Sequence, residues 1–275
     1  MTRFFKLSGS GNDFLALAQT AETSEEPSPE RIRAWCRRGV SLGADGLFVL
    51  RRAPEGVAMD YWNADGRPAD LCLNGTRCAA QLAFQLGWGE GTVKVATPAG
   101  GFSARRLDGS RIALDLPAPA EPPRPLELEV EGRTLAGWAV TVGVPHFVLV
   151  WPESLERAPV VPLGRLLRFH PALGAAGANV DFVRFPRPGR MEIRTYERGV
   201  EDETLSCGTG VLAGAAAGLA LGLAALPLAV LTQGGFELEV GGEAGSWSLA
   251  GDARVVAEGE LLAAAEEGPP PPAWS

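Results

Sequence analysis

The sequence predicts an α/β (α+β) chain of two pseudo-symmetric domains, each a mixed sheet wrapped around a central apolar helix. Three observations predict it. The second half echoes the first at an offset of about 134 residues. Strand-like runs and a few helical stretches follow one another in the same order in both halves. A stiff stretch, PAPAEPPRP at 117–125, separates them with five prolines in nine residues. The halves are accordingly 1–117 and 126–252, with 118–125 as the linker. A strand near Ala253–Leu262 is expected to return to the first half. EEGPPPPAWS, 266–275, reads as a disordered tail.

The elements follow in order. Gly11-Asn12-Asp13-Phe14-Leu15 separates two strand-like runs, and Val-Pro-His-Phe-Val at 144–148 does the same in the second half. After Pro29 the stretch ERIRAWCRR is helical, and its partner is GRLLRFH after Pro162. Cys36 there aligns with His170, and Trp35 with Phe169. Gly43-Ala-Asp-Gly-Leu-Phe-Val then pairs with Gly177-Ala-Asn-Val-Asp-Phe-Val. The strand Met59-Asp-Tyr-Trp-Asn leads through a loop to Cys72, and the strand Glu192-Ile-Arg-Thr-Tyr-Glu leads through a loop to Cys207. Each cysteine enters a Gly-containing turn, Asn74-Gly75 or Gly208-Thr209-Gly210. Apolar helices are expected after those turns, near 75–87 and 209–224. Strands with Gly turns close each half, AGGFSARRLDGSRIALDL and GGFELEVGGEAGSWSLAG.

Composition sets the outer limits. Hydrophobic content of 46% and charged content of 21% fit a packed globular chain of 275 residues. A formal charge of −8 and the lack of a basic patch with interleaved aromatics argue against nucleic acid as a partner. MTRFFKLSGSGNDF has no charged n-region followed by an apolar one, so a secretory signal is not expected. The four cysteines, at 36, 72, 78 and 207, point to a reducing cytoplasm. They form no CxxC pair, and His146 and His170 are far apart, so no metal site is expected. Val211–Leu231 carries no charge and is long enough to span a bilayer. Its Ala and Gly content and Pro227 favour a helix buried inside a fold over a membrane span.

Cys72 and Cys207 carry the chemistry. Each stands just before a helix start, where free N–H groups and the helix dipole favour negative charge. A thiol there can have a lowered pKa, and the same N–H groups can hold a substrate carboxylate. Equivalent positions in a duplicated chain suggest one site on a pseudo-two-fold axis between the domains. Two opposed acid/base groups on one carbon can remove a proton from one face and return one to the other. That reaction is racemisation or epimerisation. His146 and Glu197, in equivalent-looking loops, are the candidate partners of the thiols. Cys36 and Cys78 fall within helical patterns and read as structural, and His170 as a cap or surface group. The only lysines, Lys6 and Lys94, lie outside the cysteine loops, so a pyridoxal Schiff base is not expected. No phosphate-binding glycine motif is present, and no cofactor is expected.

The strings KLSGSGNDF (6–14), NADGRPADLCLNGTRC (63–78), GVPHF (143–147), ANVDF (178–182) and YERGVEDETLSCGTG (196–210) resemble the motifs of the diaminopimelate epimerase family, in the family's order. The resemblance implies interconversion of LL- and meso-diaminopimelate, for lysine and peptidoglycan synthesis, without a cofactor. It implies Cys72 as donor and Cys207 as acceptor for the LL substrate, with His146 and Glu197 tuning or deprotonating them. Asn12, Asn63, Asn179 and Arg198 would hold the distal amino and carboxylate ends, with Glu197 also at the substrate. The backbone at Leu73-Asn74 and Gly208-Thr209 would grip the reacting carboxylate. Three positions depart from the family pattern. Leu73 replaces a usual glycine, where a turn needing positive φ would be strained. Gly46 and Val144 stand where some members carry polar side chains that touch substrate.

The competing readings are a two-thiol racemase or epimerase of proline or hydroxyproline type, a non-catalytic amino-acid-binding relative, and a thiol redox protein. The polar set for a distal zwitterion speaks against the first, and the lack of CxxC against the last. Partners expected are a small-molecule substrate, no nucleic acid and no membrane. A homodimer is allowed.

Overall fold

The computed structural model describes residues 2–19, 26–69, 71–243 and 245–266. The chain divides into two compact units, Met1–Ile112 with Ala253–Ser275, and Ala113–Asp252.

The first unit contains β1 (Thr2–Gly9), β2 (Asn12–Gln19), α1 (Pro29–Cys36), β3 (Gly46–Ala53), β4 (Gly56–Asn63), α2 (Leu73–Gln85), β5 (Thr92–Thr97) and β6 (Gly100–Arg106). Strand β7 (Arg111–Pro117) carries the chain into the second unit. There follow β8 (Arg124–Val130), β9 (Arg133–Val142), β10 (Val144–Val150), α3 (Val160–Arg168), β11 (Asn179–Arg187), β12 (Arg190–Glu197), β13 (Asp202–Thr204), α4 (Gly208–Ala220), β14 (Leu228–Thr232), β15 (Glu237–Glu243) and β16 (Ser246–Asp252). The last strand, β17 (Arg254–Leu261), pairs antiparallel with β1.

Strand pairing displays the duplication. From β17 through β1, β2, β3, β4 and β5 to β6, successive pairs run antiparallel, antiparallel, parallel, antiparallel, parallel and antiparallel. From β8 through β9, β10, β11, β12 and β14 to β15 the same series recurs. Registers correspond too: Phe14 faces Gly46 across β2 and β3, and Phe147 faces Val180 across β10 and β11. β13 is an addition of the second unit, paired on β12.

Each sheet is buried on both faces in its middle strands, which is why β2, β3, β10 and β11 read as nearly continuous apolar runs. On one face of the first sheet, Leu15, Leu17, Leu47 and Val49 pack with Ile32 and Trp35 of α1. On the other, Phe14, Phe48 and Tyr61 meet ring to ring. Helices α2 and α4 are both buried along most of their length. α4 lies close to its strands because it is poor in side chains: a Cβ on Gly214 would be 2.9 Å from Val183 Cγ1 and 3.0 Å from Met191 Sδ.

Three expectations are corrected. The division falls inside β7, between Ile112 and Ala113, and the Pro-rich stretch already belongs to the second unit. Ile112 on one side of it and Ala113, Leu114 and Leu116 on the other are all buried. The apolar run Val211–Leu231 is not one helix: α4 ends at Ala220, and the run finishes in β14. No helix among the described residues is long and apolar enough to cross a membrane. The cysteines are followed by no separate turn, because α2 and α4 begin at once, at Leu73 and Gly208. Of the proposed tail, Glu266 ends a 3-10 turn, Ala263–Glu266, and 267–275 lie outside the described residues.

Candidate active site

Cys72 is the N-cap of α2. Its backbone is extended, and its carbonyl accepts the Thr76 N–H at 2.8 Å and the Thr76 hydroxyl at 2.9 Å. The thiol takes the place of the usual capping oxygen, with Gly75 N–H donating to Sγ at 3.4 Å. Leu73 is the first helical residue, with its side chain buried. Among the described residues, those with positive φ besides glycines are Ser10, Glu131 and Glu201, and Leu73 is not one of them. The strain expected at this departure is therefore not present: a helix start needs negative φ, which leucine adopts freely.

A continuous run of hydrogen bonds surrounds this helix start. Fully buried Arg77 donates to Asn74 Oδ1 at 2.5 Å and to Ser10 Oγ at 3.1 Å. Asn74 Nδ2 donates to Asn12 Oδ1 at 2.6 Å, and Asn12 Nδ2 to Asp45 Oδ2 at 3.1 Å. Asp13 and Asp45 are neutralised by Lys6 and Arg38. Two expected substrate residues, Asn12 and Asn74, are thus brought together, with both amide orientations set by the network. Lys6 is committed to Asp13 at 2.5 Å and Lys94 to Glu55 at 2.6 Å. Asn63 ends β4 at the surface, and its Oδ1 accepts from Tyr61 OH at 3.2 Å. The tyrosine also explains Gly46: a Cβ there would lie 2.6 Å from Tyr61 Oη and 2.5 Å from the Trp62 carbonyl. The Tyr61 ring fills the space that a side chain at 46 would need.

In the second unit Cys207 is the N-cap of α4, with Gly208 as the first helical residue and Val211 N–H donating to its carbonyl at 3.0 Å. Its Sγ is 3.4 Å from Thr209 Oγ1. The lowered thiol pKa expected at a helix start is not found. Burial pushes the Cys207 thiol well up, and the Glu197 and Asp181 carboxylates add to this. The Thr209 hydroxyl and Gly210 N–H pull the other way and are outweighed.

His146, on β10, is buried, and its Nδ1 is 2.7 Å from Asp181 Oδ2 with both side chains fully enclosed. Asp181 Oδ1 accepts from Thr195 Oγ1 at 2.7 Å. Asn179 Nδ2 lies 3.4 Å from His146 Nε2, and Asn179 Oδ1 accepts the Arg198 N–H at 2.7 Å. Glu197 Oε2 accepts from Thr204 Oγ1 at 2.8 Å. The second unit thus gathers His146, Asn179 and the Arg198 backbone in one network. His170 caps the 3-10 turn Pro171–Leu173, its Nδ1 accepting Ala172 N–H at 3.2 Å.

Sequence reasoning assigned no role to Asp181, Thr195, Tyr61 or Arg77. Asp181 did leave a signal: an acid inside the apolar strand Val180–Val183 must find a buried partner.

Two N-capping thiols at equivalent places in duplicated units, with a buried His–carboxylate pair, suit proton transfer at carbon. Comparison with known proteins decides the family. The sequence profile of diaminopimelate epimerase matches residues 4–108 and 138–256, which include both cysteines and every candidate site residue. The chain belongs to the diaminopimelate epimerase family. It is 37% identical over 249 residues to the diaminopimelate epimerase of Aquifex aeolicus, covering 86% of this chain and 88% of that one. It is 41% identical over 216 residues to that of Gemmatimonas aurantiaca, covering 76% of each chain. In fold it is similar to the crystal structure of a probable proline racemase from Agrobacterium radiobacter K84, with a TM-score of 0.71 at 17% identity, covering 96% of this chain and 93% of that one.

Proposed function

We propose that this member of the family converts LL-2,6-diaminopimelate to meso-diaminopimelate, without a cofactor, by two-thiol acid/base chemistry. The observation that carries the reading is the placement of Cys72 and Cys207 as N-caps of the two central helices, in a chain of this family. One thiolate removes the α-proton and the other thiol delivers a proton to the opposite face. Negative charge grows on the reacting carboxylate as the proton leaves, and backbone N–H groups at the two helix starts, Leu73-Asn74 and Gly208-Thr209, suit that charge. Asn12, Asn63, Asn179 and Arg198 hold the distal zwitterion. His146 and Glu197 exchange protons with the thiols. At Cys207, burial and the Glu197 and Asp181 carboxylates favour the protonated thiol, so a base must take that proton before the thiolate can act.

The test is deuterium exchange from solvent into the α-position of LL-diaminopimelate by reduced protein without additions. Exchange is expected with wild type and expected to vanish in Cys72→Ala and in Cys207→Ala. Absence of exchange by wild type refutes the reading. Exchange on proline but not on diaminopimelate selects the proline-type alternative.

A further inference from the structure

We infer that Asp181 is a positioning residue that fixes His146 as the Nδ1–H tautomer and leaves Nε2 as the base. The inference rests on the proposed acid/base role of His146 and adds the group that sets its protonation.

Two contacts, one on each ring nitrogen, point to the same tautomer. A carboxylate only accepts, so the 2.7 Å bond between Asp181 Oδ2 and His146 Nδ1 needs a proton on Nδ1. On the other side of the ring, the Arg198 N–H donates to Asn179 Oδ1 at 2.7 Å, which fixes the orientation of that amide. Asn179 Nδ2 is thereby turned to His146 Nε2, 3.4 Å away, and an amide nitrogen only donates. A donor facing Nε2 favours the ring form in which Nε2 accepts and carries no proton.

The carboxylate is itself locked. Thr195 Oγ1 donates to its second oxygen at 2.7 Å, and α4 presses on it at Gly210, where no side chain fits. A buried carboxylate without a partner is costly, so the His146 pair also satisfies Asp181. The chemistry follows. When Nε2 takes a proton from a catalytic thiol, the S–H bond breaks, an N–H bond forms and the electron pair stays on sulfur. Asp181 stabilises the imidazolium so formed, and the reverse step returns the proton. Asn179 can release Nε2 because Pro145 O, 3.5 Å from its Nδ2, is a second acceptor.

The experiment uses selective ¹⁵N labelling of histidine, since the chain has only His146 and His170. His170→Gln assigns the two rings. At neutral pH the Nε2 resonance of His146 is expected in the range of an unprotonated ring nitrogen, and Nδ1 in the protonated range. A protonated Nε2, in either the other tautomer or the imidazolium, overturns the inference. Kinetics give a second arm. Asp181→Asn is expected to lower kcat for exchange by about 10²–10⁴-fold, with KM within roughly threefold of wild type. An unchanged kcat, or a raised KM alone, overturns it. If Asp181→Asn does not fold, the wild-type spectrum decides. If wild type exchanges nothing, the proposed function fails while the tautomer is still read from the same spectrum.

Discussion

Gly210→Ala in α4 should destabilise the protein, against the ordinary rule for helices. In an exposed helix interior, alanine is better than glycine by about 1 kcal/mol. Here a Cβ would intrude on Asp181 Oδ1 and lie 3.1 Å from Thr195 Oγ1 and 3.2 Å from Asp181 Cγ. The carboxylate cannot retreat, because Thr195 and His146 hold both of its oxygens at 2.7 Å in a fully buried position. Overpacking costs about 1–3 kcal/mol, and loss of a hydrogen bond to a buried charged group about 1.5–3 kcal/mol. Set against the helix gain, the net loss is about 3 kcal/mol. At a typical urea dependence, the unfolding midpoint should fall by roughly 1–3 M. Gly218→Ala is the matched control. Its Cβ would meet the partly buried Phe185 ring at 2.5 Å and Ala224 Cβ at 3.0 Å, neither of them a locked buried charge, so its midpoint should fall by less than that of Gly210→Ala. Urea unfolding followed by far-ultraviolet circular dichroism measures both. A Gly210→Ala midpoint equal to or above wild type would refute the claim that Asp181 dictates the residue at 210.

Leu73→Gly should cost about 3 kcal/mol, from a lost buried side chain and a poorer helix former. It should not speed exchange, because the backbone at 73 is already helical; a faster and equally stable variant would restore the idea of strain. Tyr61→Phe should raise KM for diaminopimelate several-fold with little change in kcat, because Asn63 loses its hydroxyl donor; steady-state kinetics giving an unchanged KM would remove Tyr61 from the site. Stability should fall in alkali. Burial pushes the Cys36 thiol up to about 12, above its ordinary 9.0. The folded state therefore holds that proton more tightly, and the resulting stability is complete below pH 9.0 and lost as pH rises toward about 12. The slope is about 1.4 kcal/mol per pH unit for one thiol. Urea midpoints across this window should fall less steeply in Cys36→Ala, and equal slopes would count against the assignment.

The duplication was the most legible feature, because it repeats whole strings and not single residues. It placed the strands, the central helices and both cysteines at helix starts. Asparagine before a strand, or cysteine before an apolar helix, can be read locally. The residues missed act across strands. Tyr61 reaches over Gly46 because β3 and β4 pair Gly46 with Asn63. Asp181 meets His146 because β10 and β11 run parallel in a register set far away in sequence. The Cys207 thiol was misjudged for a related reason. Its helix position is local, whereas its burial and its two carboxylate neighbours are products of folding. The boundary inside β7 was hidden because prolines mark a stiff segment, whereas the division falls within a buried strand, between Ile112 and Ala113.

The duplication is also unequal in a way that fits the proposed chemistry. Both units repeat the backbone: an extended Cys cap, a helix starting at the next residue, and the same pairing series in the strands. Their side chains differ. The first unit places Asp13 and Asp45, with Lys6 and Arg38, where the second places His146 and Asn179. Under the proposed mechanism, carboxylate binding and the presentation of two thiols to opposite faces are symmetric demands. Backbone N–H groups and helix caps supply them, and duplication copies those without change. Proton inventory is an asymmetric demand, since at any moment one thiol must hold a proton and the other must not. Side chains supply that, and they are where the halves diverge. Under that mechanism, leucine for glycine at 73, a position that acts through its backbone, should be tolerated, whereas a change in the charge of Asp181 should alter which proton sits where.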